Sequence, residues 1–358
     1  MKIRAWWWGI VALFAVALIG WTVLRSEDTG KEARKSTADA KPDARKSNKP
    51  KRPKDKKPPH PPAKVELPPI PGLRKLPQVT DEQLDRFLTD NRRSPAAMLA
   101  AYRIKGDIAL LREAAAAHPE HAGIQLEMAL RGGTPEEKRA ALELFRKLEP
   151  DNSLGDYLSA AFHFQQGNTE EALKDVSLAD SRTKFDNHQT DATQCVEDAY
   201  LSAGKSLAEA RAAAMFGMPV VSTMSLSLLA GKLSDLQGQH LKAGDTDSAE
   251  TFCKTGLSLA AKARGDSKLL INDLVGMAIE SRFLKQLPPE SIVPGTNLTA
   301  AARLQTLAEE RQQVAALTGK STQLQSSLSE NELIAYLKKV TQVGELNALR
   351  SLEENPGR

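Results

Sequence analysis

PDNSLGDYLSAAFHFQQGNTEEALKDVSLA, residues 150–179, is written as two helices and the turn between them. Leu154, Tyr157, Leu158, Ala161 and Phe162 recur at the spacing that places side chains on one face of an α-helix. Gly167 then offers the left-handed backbone conformation that stops a helix without a Cβ clash. Thr169 stands where it can cap the following helix, and Glu170 and Glu171 put negative charge at that helix's positive amino end. Ala160 and Ala172 are small where the two helices have to approach closely. No side chain here is arranged for catalysis, so the stretch specifies packing.

The same grammar runs through the chain from residue 78 onward. Thr80 with Gln83, Thr134 with Glu137 and Ser329 with Glu332 each fit a capping box, in which a hydroxyl and a side chain three residues on satisfy exposed backbone donors. Ser94-Pro95 and Thr134-Pro135 add proline at a first helical position, where its missing N–H is not needed. Ala and Leu dominate and strand-like alternation is scarce, which predicts an all-α body of about fourteen helices between Asp81 and Leu352. Short connections force consecutive helices to lie antiparallel. MSLSLLAGKLSDLQGQHLKAG (224–244) and SKLLINDLVGMAIESRFLKQL (267–287) are apolar enough to be packed on more than one side, as the central layer of a bundle. After a break at Pro288, Pro289 and Pro294, residues 298–318 and 329–352 read as two helices of a closing hairpin, with a coiled-coil contact to another copy as the alternative.

Pro150 to Ala179 resembles a tetratricopeptide repeat, with Pro150 before the first helix, Ala160 within it, Gly167-Asn168 at the turn and Ala172 in the second helix. KAGDTDSAETFCKTGLSLA (242–260) is similar to the turn and second helix of another unit, with Gly244-Asp245 at the turn and Ala249 five residues on. Weaker echoes occur at 103–122 and 130–152. The two turns lie 77 residues apart, not a multiple of a period of about 34, so the expected architecture is an irregular TPR-like α-solenoid or helical-hairpin array. The resemblance implies a scaffold whose stacked pairs leave a curved groove lined by the first helix of each pair. On the 150–179 unit it points to Asp156, Ser159 and His163 as groove-facing residues that would meet a protein or peptide partner, with Ala160, Gly167, Ala172, Gly244 and Ala249 holding the packing.

The amino-terminal quarter is a different material. Residues 1–77 carry 18 Lys/Arg against 7 Asp/Glu, leaving 31 against 38 on the remaining 281, so the formal charge of +4 conceals a basic arm and an acidic body. The pI therefore gives no ground for a nucleic-acid-binding body, and the arm lacks interleaved aromatics to stack on bases. After a tail at 1–4, AWWWGIVALFAVALIGWTVL (5–24) is 20 residues without a charge, about 30 Å as a helix and long enough to cross a bilayer. Its tryptophans sit near both ends, at the headgroup boundaries. Ala15-Val16-Ala17 fits a signal-peptidase site, yet the apolar run continues beyond it, so an uncleaved signal anchor is expected. Residues 25–77 hold 11 of the 20 prolines and few large apolar side chains before Val65, the composition of a disordered basic spacer able to touch an anionic lipid or polymer surface. The helical repeat domain then spans 78–287 and the closing hairpin 288–358. The expected placement is a bacterial inner membrane with the body in the periplasm.

Candidate chemistry is sparse. His118 and His121 flank Pro119 and read as an interhelical surface turn. KFDNHQTDATQCVEDAY (184–200) gathers Asp186, His188, Asp191, Cys195 and Glu197, but without the signature that surrounds a Cys/His nucleophile it reads as a loop. Cys195 and Cys253 read as two buried free thiols, though one bridge is arithmetically possible. There is no phosphate-binding Gly-rich loop, no His-Glu-x-x-His and no calcium-loop pattern. The sequence thus leads to no catalytic residue, metal ligand or cofactor. The function expected is a membrane-anchored, non-enzymatic interaction scaffold. The alternative is a structural envelope protein whose arm holds an anionic surface while the body self-associates.

Overall fold

A computed structural model describes residues 77–217, 221–265 and 268–354. The expected membrane span at 5–24 and all but the last residue of the arm lie outside that range. Among the described residues no helix is long and apolar enough to cross a membrane. Of these residues 78% are helical, in fifteen helices, with two isolated β-bridges and no strand longer than a bridge.

The helices follow one another closely: α1 (Asp81–Asp90), α2 (Pro95–Lys105), α3 (Ile108–Ala117), α4 (Ala122–Arg131) and α5 (Pro135–Leu148). Next come α6 (Ser153–Gln165), α7 (Thr169–Ser181), α8 (Gln189–Ser202), α9 (Leu207–Phe216) and α10 (Val221–Ala243). The chain ends with α11 (Thr246–Gly265), α12 (Leu270–Leu284), α13 (Ala300–Ser326), α14 (Glu330–Val343) and α15 (Glu345–Glu354). All three expected capping boxes form, opening α1, α5 and α14, and Ser206 with Glu209 forms a fourth at α9. At the α6–α7 turn Gly167 has φ +81°, as the sequence predicts, but the cap differs. Asn168 is the N-cap and Thr169 the first helical residue, with no side-chain cap bond.

Most consecutive helices pack on each other, most intimately α6 with α7, α4 with α5, α10 with α11 and α11 with α12. The α6–α7 pair meets over Leu154, Tyr157, Ala160, Ala172, Val176 and Ala179, all buried. The same cluster takes in Leu229 and Leu233 of α10, Cys253 and Leu259 of α11, and Phe283 of α12. Each large side chain hidden this way contributes about 1.5–3 kcal/mol, which neither hairpin could recover alone. Beyond α7 the chain does not simply add the next repeat. Helix α8 returns to pack on α1 and α2, α10 lies on α6, and α9 meets α14. In a regular solenoid each unit touches only its neighbours, so this body is an array of helix pairs that folds back on itself.

Three further expectations are corrected. Helix α12 is packed on two sides, with Ile279 and Phe283 in one cluster and Met277 and Leu284 in another. Helix α10, however, leaves Met224 69% and Leu228 62% exposed, so one face is uncovered. The helix read across 329–352 breaks at Gly344, whose φ of +85° suits glycine, and α15 turns back to pack on α13. The 184–200 loop ends at His188, because α8 begins at Gln189 and carries Asp191, Cys195 and Glu197.

Candidate functional site

The densest polar assembly lies where α5 hands over to α6 and the segment after α7 returns beneath that turn. Asn152 caps α6, its Oδ1 accepting from the backbone N–H of Leu154 at 3.2 Å. That same oxygen accepts from Asp186 N at 3.1 Å, while Nδ2 donates to Asp186 O at 2.8 Å and Glu149 Oε2 at 2.7 Å. Ser153 adds two bonds of 2.9 Å to the carbonyl of Lys184, one from its backbone N–H and one from its hydroxyl. A short parallel bridge between Asn152 and Lys184 results, and it carries Asp186 and His188 to Glu149.

Above this seam opens a cleft of about 260 Å³ lined by Glu143, Arg146, Lys147, Glu149, Pro150, Asn152, Asp156 and Arg182. Arg146 is its hub. Its guanidinium donates to Asp156 Oδ1 at 2.9 Å, Asp175 Oδ1 at 3.0 Å and Ser159 Oγ at 3.3 Å, so one side chain of α5 ties down α6 and α7. Burial works against its charge, but the Asp175 and Asp156 carboxylates outweigh that and raise its pKa. Arg182 Nε approaches Asp156 Oδ2 at 3.6 Å, and His163 Nε2 lies 3.8 Å from Asp175 Oδ2. Gly155 is needed here because a Cβ would stand 2.9 Å from Arg146 Cγ.

Of the three residues assigned to the groove, Asp156 and Ser159 bond the Arg146 guanidinium, and His163 approaches only its partner Asp175. Asp156 and Ser159 are 4% and 2% exposed, buried by α5, and do not stand open to solvent as groove-lining residues would. Only His163 is half-buried. Ala160, Ala172 and Ala249 are fully buried, and Gly167 and Gly244 take positive φ.

Below the cleft, Glu149, Asp186 and His188 bring one donor atom each within 4.8 Å of one another, the one such trio among the described residues. Burial opposes ionisation of Glu149, but the Asn152 hydrogen bond, His188 and Lys184 prevail and lower its pKa. Asp186 is lowered in the same way, by the backbone N–H of His188 and by the charges of His188 and Lys184, against its own burial. His118 and His121 instead take the turn between α3 and α4, where His121 Nδ1 accepts from Ile124 N at 3.3 Å. Burial, followed by His188 and His118, pushes the His121 pKa down.

Nucleophilic chemistry finds no assembled site around the cysteines. Both are free. Cys253 is fully buried and its thiol is pushed up to about 11, chiefly by desolvation. Cys195 is half-buried against the α2 cluster, where burial and then Asp198 also raise its pKa, so neither holds the thiolate that reactivity requires.

Sequence reading missed Arg146, Asn152, Glu149 and Lys184. Asn152 before an apolar run was a legible cap. The others gave no readable signal, since the contacts of Arg146 with Asp156 and Asp175, Lys184 with Glu149, and Glu149 with His188 span 10 to 39 residues. No protein-family model, curated protein or solved structure matches the chain.

Proposed function

We propose that this chain is a membrane-anchored, non-enzymatic scaffold whose TPR-like helical body docks a protein or peptide beyond the bilayer. The observation that carries this reading is the stacking of hairpins α4–α5, α6–α7 and α10–α11 through shared alanine-rich seams, with a charged cleft at the first step between pairs. Further support comes from the exposed Met224 and Leu228, one turn apart on α10, since large apolar side chains left open in a cluster mark contact surfaces. The uncharged stretch at 5–24 supplies the anchor in this reading, residues 25–77 the leash, and the body lies in the periplasm of a bacterial inner membrane.

A second reading is a structural envelope protein, favoured by the basic charge of the arm opposite the acidic body. Affinity purification from solubilised native membranes separates the two. Partners retained by a variant lacking residues 25–77 favour the scaffold, and loss of all association in that variant favours the envelope role. A carboxy-terminal phosphatase fusion tests the compartment: activity is expected, and an inactive but stable fusion would place the body in the cytoplasm.

A further inference from the structure

We propose that Glu149, Asp186 and His188 form a binding site for a first-row divalent ion of the Zn²⁺ class, with Lys184 as the side chain that the ion displaces. This inference does not rest on the scaffold reading.

The geometry begins with His188. Its Nε2 is buried without a hydrogen-bond partner and lies 3.1 Å from Glu149 Oε1, an approach without hydrogen-bond alignment. Two donors on one tetrahedral Zn²⁺ are about 3.3 Å apart, given metal–ligand distances near 2.0 Å. The ring is positioned by contacts on other sides. Phe145 packs edge-on against it at 6.1 Å, and His188 takes the left-handed conformation at φ +53°, uncommon for a residue with a Cβ.

The carboxylates are prepared in the same manner. Glu149 Oε2 is held by Asn152, leaving Oε1 toward the imidazole, and Asp186 Oδ1 accepts from the backbone N–H of His188 at 2.8 Å. Such outer hydrogen bonds orient ligands before the metal arrives. A cation already bridges the two carboxylates: Lys184 Nζ lies 3.2 Å from Glu149 Oε2 and 3.4 Å from Asp186 Oδ2. Its side chain is 46% exposed while its backbone is pinned by Ser153, so the ammonium can swing to solvent without disturbing the seam. One imidazole with two carboxylates selects a transition ion over Mg²⁺ or Ca²⁺, which favour all-oxygen shells. Three protein ligands leave at least one position for water.

The test uses the purified full-length chain in detergent, titrated with Zn²⁺ by calorimetry at pH 7.5, with thermal unfolding as a second readout. One saturable ion per chain that raises Tm is expected, with binding lost in Glu149→Gln and in His188→Asn, the latter chosen because Asn tolerates the left-handed backbone. Lys184→Gln removes the competing charge and should bind about tenfold tighter. Absence of saturable binding, binding that survives His188→Asn, or no gain in Lys184→Gln would each overturn the proposal. Circular dichroism identifies a variant that fails to fold, in which case the exposed Lys184→Gln decides alone.

Discussion

Arg146 holds three polar side chains from two helices, so its loss strands them. Arg146→Ala leaves buried Asp156 with only Arg182 at 3.6 Å and Asp175 with only His163 at 3.8 Å, and chemical denaturation should show a loss of about 2–4 kcal/mol. Arg146→Lys should restore only part of it, because a single ammonium cannot reach both carboxylates and Ser159 as the fork does. Glu345 gives a pH signature of opposite kind. Its carboxylate accepts from Leu270 N at 2.9 Å, and desolvation, aided by Asp273, raises its pKa from 4.5 to about 7. Between those values the folded state binds more protons than the unfolded chain, so stability falls as pH rises through the window and is flat above it. Glu345→Gln should abolish that fall and stabilise the protein at pH 8 by about 2 kcal/mol, read from unfolding curves at pH 5 and pH 8. At this scale the sequence was legible at three caps whose partners are three residues apart, though not at Ser206 with Glu209 or Asn152 with Glu149. Thr80, Thr134 and Ser329 announce their caps, whereas the meeting of Glu149 with His188 depends on an intervening hairpin closing.

Between elements, glycines act in two ways that sequence alone does not distinguish. On the α11–α12 interface a Cβ at Gly256 would lie 2.4 Å from the ring of Phe283, itself fully buried, and one at Gly276 would lie 2.1 Å from Arg264 Cγ. Gly256→Ala should therefore cost about 1–3 kcal/mol through overpacking. Gly167→Ala meets nothing within 4 Å and is penalised only by its φ of +81°, so about 1 kcal/mol is expected. Denaturation of the two variants side by side checks the order, and an equal or reversed cost would contradict the close approach of α11 and α12. The α6–α7 turn was readable because Gly167 sits between two apolar periodicities. Gly344 was not, because an interior glycine costs a helix only about 1 kcal/mol and a sequence cannot say whether tertiary contacts absorb it. Here Glu345 N donates to Lys268 O at 2.7 Å, anchoring the break to the start of α12. Another four-charge tie, Arg264 and Arg303 with Glu280 and Glu310, links α11, α12 and α13.

Across the whole body, helical class and pairing could be read from the chain, while the order of stacking could not. Periodicity reports that Leu229, Leu233 and Phe283 are buried, but not that they join one cluster with the side chains of α6 and α7 rather than a separate bundle. The return of α8 to α1 and α2 has no local mark at all. Helix pairs that hide their apolar faces only by leaning on one another should open as a single cooperative unit. Hydrogen exchange of the full-length chain followed by mass spectrometry tests this most directly. Amides in the centres of α6, α10 and α12 should share one slow, global rate that accelerates together in Arg146→Ala. Exchange of α6–α7 by an independent opening, with α10 and α12 unchanged in that variant, would contradict it.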